Sequence, residues 1–410
     1  MARRTVGNQK GMGNRRTEQY DSIEFNPKPK KRKQKRRSVK SFLSLVFICF
    51  VLVLTYIIVS LLHPIGVIEY VKSEYNLSGY GSGYDISLTS GKPIYSVGDS
   101  DKYFVVSSST INCFNKNGKS VFSNSHSYSN PIIKFSETRY LLYNQGERTL
   151  NVCDFSKTLS TLNLSGGIIC AAISDSGVYA VASKSDGYAS SVCVYNKKHN
   201  KIYEWFSSDE SVNSIAVSNN GSSIAISTIK VVNGKYLSNF YVLKFDSANA
   251  YFKKSYPDDV IYQIYPTQSN TFCVIMSNNI EFINYKKELI SSNESEYSVN
   301  IIKCFNGNIV AVRTIAANQE ESLVEVYKPN GKIISSFKVD KYINDLSYYH
   351  NKVLLLGLHE IFKYNLSGEL LSSDKADFDT IFIEAISENS VACIKNSAIN
   401  KLILKPLEDK

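Results

Sequence analysis

Residues able to carry chemistry are scarce in this chain of 410. Its five histidines include no H-E-x-x-H run and no nearby serine–aspartate partner, which removes the zinc-protease and triad signatures. His63 follows a long apolar run, and His126, His199, His350 and His359 lie near turns or strand ends, where surface histidine is the simpler reading. The eight cysteines contain no C-x-x-C pair. Cys49 falls inside the apolar run, and the remaining seven are scattered through apolar, strand-like segments. That spacing excludes a zinc knuckle and a dense disulfide framework. Free buried thiols are the plain reading, with one structural pair, Cys113 with Cys153 or Cys153 with Cys193, left open. No Gly-rich phosphate loop and no G-x-S-x-G elbow occurs. The acidic pairs Asp99/Asp101 and Asp258/Asp259 lack the frame of a calcium loop, and Asp175-Ser176-Gly177 reads as a turn. No catalytic residue, metal or cofactor is assigned from the sequence.

Acidity is also missing at one end. Residues 1–40 hold 14 Lys/Arg against Glu18, Asp21 and Glu24, a net of +11, while the whole chain is +10. The run 41–63 is uncharged, so residues 64–410 sum to −1, and the basicity belongs to the tail alone. Lys30, Lys31, Arg32, Lys33, Lys35, Arg36 and Arg37 form its densest part, immediately before the 22 uncharged residues 41–62. As a helix that run reaches about 33 Å, enough for a hydrocarbon core of roughly 30 Å. A cleaved signal peptide would have a shorter apolar core and a small-residue cleavage site, whereas Leu61-Leu62-His63-Pro64-Ile65 offers no small pair. The reading is an uncleaved signal-anchor: tail 1–40 disordered and cytoplasmic, transmembrane helix 41–62, and the remainder extracytoplasmic by the positive-inside rule. The seven basic residues are candidate contacts to anionic lipid. Nucleic acid is not expected, because the cluster abuts the apolar run and lacks interleaved aromatics.

After the span, residues 63–84 shift to a Ser/Gly/Tyr-rich composition and read as a flexible stalk. From there on no helical stripe of a dozen residues appears. Short Val/Ile/Tyr/Phe runs alternate with Asn, Asp, Gly and Ser, the pattern of many short strands. Two markers recur. An apolar residue just past a polar hairpin turn is found at Phe104, Leu141, Tyr179, Ile224, Phe272, Ile309, Val353 and Val391, spaced 37 to 48 apart. An aromatic closing an alternating strand is found at Phe114, Phe155, Tyr195, Phe245, Tyr285, Tyr327 and Tyr364, spaced 37 to 50 apart. A period near 41 with four strands per unit is the length of a β-propeller blade. Counting gives eight blades over 85–405, or seven if the short unit 132–167 merges with a neighbour. The last unit shows three strands before the chain ends, and Ile86-Ser87-Leu88 is the candidate fourth, closing the ring.

Copies such as AISDSGVYAVAS (172–183) and AVSNNGSSIAIS (216–227) resemble the WD40, YVTN and quinoprotein-like propeller group, and with the anchor the layout resembles uncharacterised membrane-anchored bacterial propeller proteins. The Gly-His and Trp-Asp signatures of true WD40 repeats are absent, the lone tryptophan being Trp205. The resemblance implies an all-β propeller without an active-site motif. The functional expectation is a binding scaffold at the cell envelope with a protein or glycan ligand; the alternatives are an enzyme with its site in the propeller channel, or an envelope assembly factor. Insertions in repeats tend to fall on a binding face. The insertion around Asn233-Gly234 makes Val231, Asn233, Lys235 and Tyr236 the candidate binding loop, against the simpler reading of a long hairpin turn. Tyr256, Tyr262 and Tyr265, and the Tyr348-Tyr349-His350 run, are either interface aromatics or strand packing.

Overall fold

The computed structural model describes residues 35–407 apart from 90, 100, 248, 269, 316 and 317; for 35–40, 318 and 319 it gives the backbone alone. Lys30, Lys31, Arg32 and Lys33 therefore lie outside the described residues, and Lys35, Arg36 and Arg37 enter only as backbone. The chain divides into two compact units, Met1–Thr55 and Tyr56–Lys410. Helix α1 (Lys35–Leu62) contains Ser41–Leu62, the one helix among the described residues long and apolar enough to cross a membrane.

The larger unit is an eight-bladed propeller. Blades 1 to 7 span residues 93–125, 131–163, 168–207, 211–257, 263–294, 298–339 and 345–375, each four antiparallel strands in chain order. We call these strands a to d from the axis outward. The short unit 132–167 is a full blade of its own, so the count is eight and not seven. Blade 8 takes strands a to c from 380–403, and its outer strand is Ile86–Ser87 from the other end of the propeller sequence. Ile86 pairs with Ile399 and Ser87 with Ala398, and Leu88 N donates to the Ser397 carbonyl at 2.7 Å. The ring is closed where the sequence placed the closure, and no blade edge is left open at that seam.

Both sequence ladders have a structural meaning. All eight residues of the first marker sit on b strands with no solvent exposure. There they pack between neighbouring sheets, as Phe104 does with Phe135 and Tyr140 of blade 2. The aromatics of the second marker fall within one residue of the ends of the c strands. Because adjacent strands are antiparallel, a–b and c–d connections emerge on one face of the ring (face I), and b–c and d–a connections on the other (face II).

The segment expected to be a stalk holds a helix, α2 (Val67–Leu77), which belongs to the propeller unit and lies on face I.

Candidate functional site

On face I the segment 63–79 is strapped across blades 1 to 3. Ile65 is buried against Gly177 in the a–b turn of blade 3. Gly177 has φ +77°, and a Cβ there would stand 2.3 Å from Ile65 Cδ1, so glycine is needed both for the turn and for the approach. Arg139 Nε and Nη2 donate to Glu69 Oε1 and Oε2 at 2.5 and 2.8 Å, and its Nη1 donates to the Lys197 carbonyl at 2.9 Å. This fork-on-carboxylate pair involves a buried guanidinium. His63 Nδ1 lies 2.9 Å from Glu137, Lys72 Nζ lies 2.8 Å from Asp154, and Lys197 Nζ donates to the Ile65 carbonyl at 2.9 Å. At the far end Leu77 is buried in the cluster of Phe104, Tyr140 and Phe155, and Asn115 Nδ2 donates to its carbonyl at 2.7 Å.

The channel holds a second polar cluster. Lys303, on strand a of blade 6, reaches Asp345 of blade 7 at 2.8 Å and Glu384 of blade 8 at 3.8 Å. A contact that skips a blade can form only around the ring axis, so these groups line the channel wall. Ser96 of blade 1 donates to Glu384 at 2.7 Å, and Asp345 accepts from Ile383 N at 3.0 Å. Burial raises the Glu384 carboxyl above its ordinary range. Lys303, Ser96 and Lys116 oppose the rise and Asp345 adds to it. For Lys303 burial works against the charge, but Asp345 and Glu384 outweigh it and hold the ammonium above the usual lysine range. The cluster is a closed charge set tying blades 6, 7, 8 and 1 together at the seam where the two ends of the propeller meet. Sequence reasoning missed it because Ser96 and Glu384 are 288 residues apart.

On face II the b and c strands of blade 4 run ten residues each, through Ser223–Val232 and Lys235–Lys244, and their tip stands beyond its partners. Strand a pairs only as far as Ile229, and strand d only as far as Leu237. Val231 and Tyr236 at this tip are 63% and 56% exposed, Asn233 takes positive φ in the turn, and Lys235 pairs with Asp258 at 2.5 Å. All four predicted loop residues are thus brought together on one protruding hairpin. Its root is fixed by Glu210, which is buried and accepts from Thr228 (2.5 Å), Asn239 (2.8 Å) and Tyr241 (3.0 Å), with Lys230 at 3.1 Å. Burial works against the Glu210 charge, but these donors outweigh it and hold its pKa below the usual carboxylate range. Nearby d–a loops add exposed Tyr262 and Asp209, the latter 3.0 Å from Lys230.

Other predicted residues are dispersed. Tyr256 is buried and donates to Glu281 at 2.6 Å, Tyr265 is half-buried, and Tyr348 donates to Asn351 at 2.9 Å. All eight cysteines are free. Cys113, Cys153 and Cys193 occupy c strands of successive blades, and neither candidate pair is bonded. Burial pushes the Cys193 and Cys304 thiols up to about 11, away from the reactive thiolate. Asp99 and Asp101 stand in the first a–b connection of face I, where Asp99 pairs with Lys102 at 2.7 Å, while Asp258 and Asp259 stand in a d–a loop of face II. Among the described residues no three His, Cys, Asp or Glu side chains group as a metal site.

A family model described as "Family of unknown function (DUF5711)" matches residues 72–404. No curated protein matches the chain. A solved structure titled "Structure of U3-55K" aligns over 66% of this chain and 92% of its own, at 10% identity and a TM-score of 0.42.

Proposed function

The chain belongs to the DUF5711 family, and from that premise and the geometry above we propose that it is a membrane-anchored propeller scaffold whose face II recognises an envelope protein. The apolar helix Ser41–Leu62 is the anchor, the basic tail keeps the N-terminus cytoplasmic, and the propeller stands outside. The observation that carries the reading is the blade-4 hairpin. It projects apolar Val231, Val232 and Tyr236 into solvent from a root built on a buried carboxylate, while face I is already covered in part by the strap. A protruding apolar tip flanked by Asp209, Glu210, Asp258 and Asp259 against Lys230 and Lys235, a net of −2, fits a basic, apolar segment of a partner better than it fits a neutral glycan.

The test is capture from envelope extract with the full chain in detergent, compared with a variant in which 231–236 is replaced by a short Gly-Ser turn. Loss of a partner in the variant is expected. An unchanged partner set removes the hairpin from the reading. The enzyme alternative draws on one observation, the channel carboxylate Glu384 with its raised pKa. Turnover of any substrate, abolished by Glu384→Gln in a variant that remains folded, would replace the scaffold reading.

A further inference from the structure

Helix α2 has its polarity reversed for a helix packed on a domain. Glu69, Lys72 and Ser73 reach the propeller, while Ile68, Val71 and Tyr75 point outward with 87%, 56% and 77% exposure. Positions 68, 71 and 75 form one helical stripe. Four residues separate α2 from Leu62, the end of the span.

The charge of the same face is equally uneven. The c–d connections of face I hold nine lysines against Asp246, Glu288 and Glu369, a net of +6. The b–c and d–a connections of face II hold ten acids against three bases, a net of −7. The a–b connections nearer the axis of face I carry five acids, four of them in blades 1 to 3, where Asp99 pairs with Lys102 and Glu137 with His63. On the rim, Lys157, Lys198, Lys286, Lys287, Lys328 and Lys332 are exposed and join no ion pair among the described residues.

We propose that face I rests on an anionic lipid surface, with the α2 stripe in the headgroup boundary and the lysine rim against the phosphates. The proposal rests on the membrane-anchor reading and adds a second, peripheral contact to it. An amphipathic helix of this kind buries its apolar face about 5–10 Å into the interface. Clustered lysines close to the surface hold it there through the anionic leaflet. The outward apolar stripe, left uncovered by the described residues, and the six rim lysines, which join no ion pair among them, are then satisfied by the same partner.

The experiment uses the full chain reconstituted into vesicles of phosphatidylcholine, with or without phosphatidylglycerol. A membrane-impermeant acylating reagent is read by mass at Lys286, Lys287, Lys328 and Lys332, with Lys92 and Lys184 of face II as controls. An anionic leaflet concentrates protons and keeps amines protonated, so the rim lysines should react about threefold more slowly on anionic vesicles. The controls should be unaffected, and the difference should vanish at 1 M salt, where the Debye length is about 3 Å. In parallel, Tyr75→Trp should add fluorescence that lipids brominated near the headgroup quench, while that of Trp205 persists. Equal acylation on both vesicles, or an unquenched Trp at 75, overturns the proposal. So does slowing that appears on neutral vesicles with soluble poly(glycerol phosphate) and not with anionic lipid, which would assign the rim to a polymer. Flotation in alkaline carbonate separates the two readings. A chain that does not float defeats the anchor and this proposal together, and one that floats without slowing or quenching defeats this proposal alone.

Discussion

Leu77→Ala should open the strap without unfolding the propeller. Leu77 is 8% exposed and packs on Phe104, Tyr140 and Phe155 at the point where α2 ends. Full burial of a leucine is worth about 1.5–3 kcal/mol, and core truncations to alanine cost about 2–5 kcal/mol. The site lies at the edge of the propeller and can collapse in part, so the low end applies, about 2 kcal/mol. With tenfold per 1.4 kcal/mol, the open population rises about 30-fold. The assay is cleavage of the full chain in detergent by a lysine-specific protease, read by mass after Lys72, whose ammonium is tied to Asp154 when the strap is closed. When opening and closing are fast relative to cleavage, the initial rate follows the open population. Glu69→Ala, which deprives the buried Arg139 of its bidentate partner, should act in the same direction. Tyr80→Ala supplies the control, since that side chain is exposed beyond the docked segment and its loss should leave the rate unchanged. Cleavage of Leu77→Ala at the parental rate would refute the docking and restore a flexible stalk.

Three further outcomes are expected. Glu210 has a folded pKa below the usual range, so its contribution is full above that range and is lost as pH falls through the folded value, from about pH 5 downward. Trp205, 5.8 Å from Tyr241 by ring centroids, should report the change in fluorescence, and Glu210→Gln should remove it; an unaltered titration in that variant refutes the assignment. Arg313 is fully buried, with Nε 2.6 Å from Glu325 and donors on the Asn278 and Asn293 carbonyls of blade 5 at 2.9 Å, so Arg313→Met should cost about 3–5 kcal/mol in denaturant unfolding. Adding Glu325→Leu should recover much of that loss, and a single variant of parental stability would show that Arg313 is not what ties blade 6 to blade 5. Ile86→Asp places a charge in the cluster with Tyr103, Phe114 and Ile399 and should loosen the seam, giving concentration-dependent association in light scattering; a monodisperse variant speaks against closure by this strand.

The repeat was legible because it rests on side chains that cannot be exchanged cheaply. Each b-strand residue of the first ladder is fully buried between two blades, so its spacing survives any variation in the loops. The two-residue closing strand was legible for a related reason: a four-stranded period with three strands at its last copy requires a partner, and Ile86-Ser87-Leu88 was the nearest alternating segment. The strap was not legible. A helix docked on a domain is ordinarily recognised by an apolar stripe facing inward. Here the inward contacts are ionic and polar, with Ile65 and Leu77 placed at the two ends, and the flanking Ser/Gly run drew the whole segment into the reading of a stalk. Glu210 was equally hidden, because Asp209-Glu210 in a d–a loop looks like ordinary surface acid until the hairpin folds over it.

Net charge misled in the same way. Residues 64–410 sum to −1, which assigned the basicity to the tail alone. The strand order places a lysine rim of +6 on the c–d connections of face I, five acids on the a–b connections nearer its axis, and a surplus of −7 on the b–c and d–a connections of face II. None of these sets is contiguous in sequence, because successive connections of one blade alternate between the faces. At a Debye length of about 8 Å in physiological salt, charges on opposite faces of a propeller do not cancel one another, and the outer rim of face I stays basic although acids lie nearer its axis. A partner therefore meets a lysine rim beside an apolar helix stripe on one face, or a surplus of acidic loops beside an apolar hairpin on the other. On the proposals made above, the rim suits anionic headgroups and the hairpin a basic polypeptide segment. The capture and acylation experiments consequently read independent surfaces, and charge-reversal at Lys286 and Lys287 should leave the captured partner set of the blade-4 hairpin unchanged.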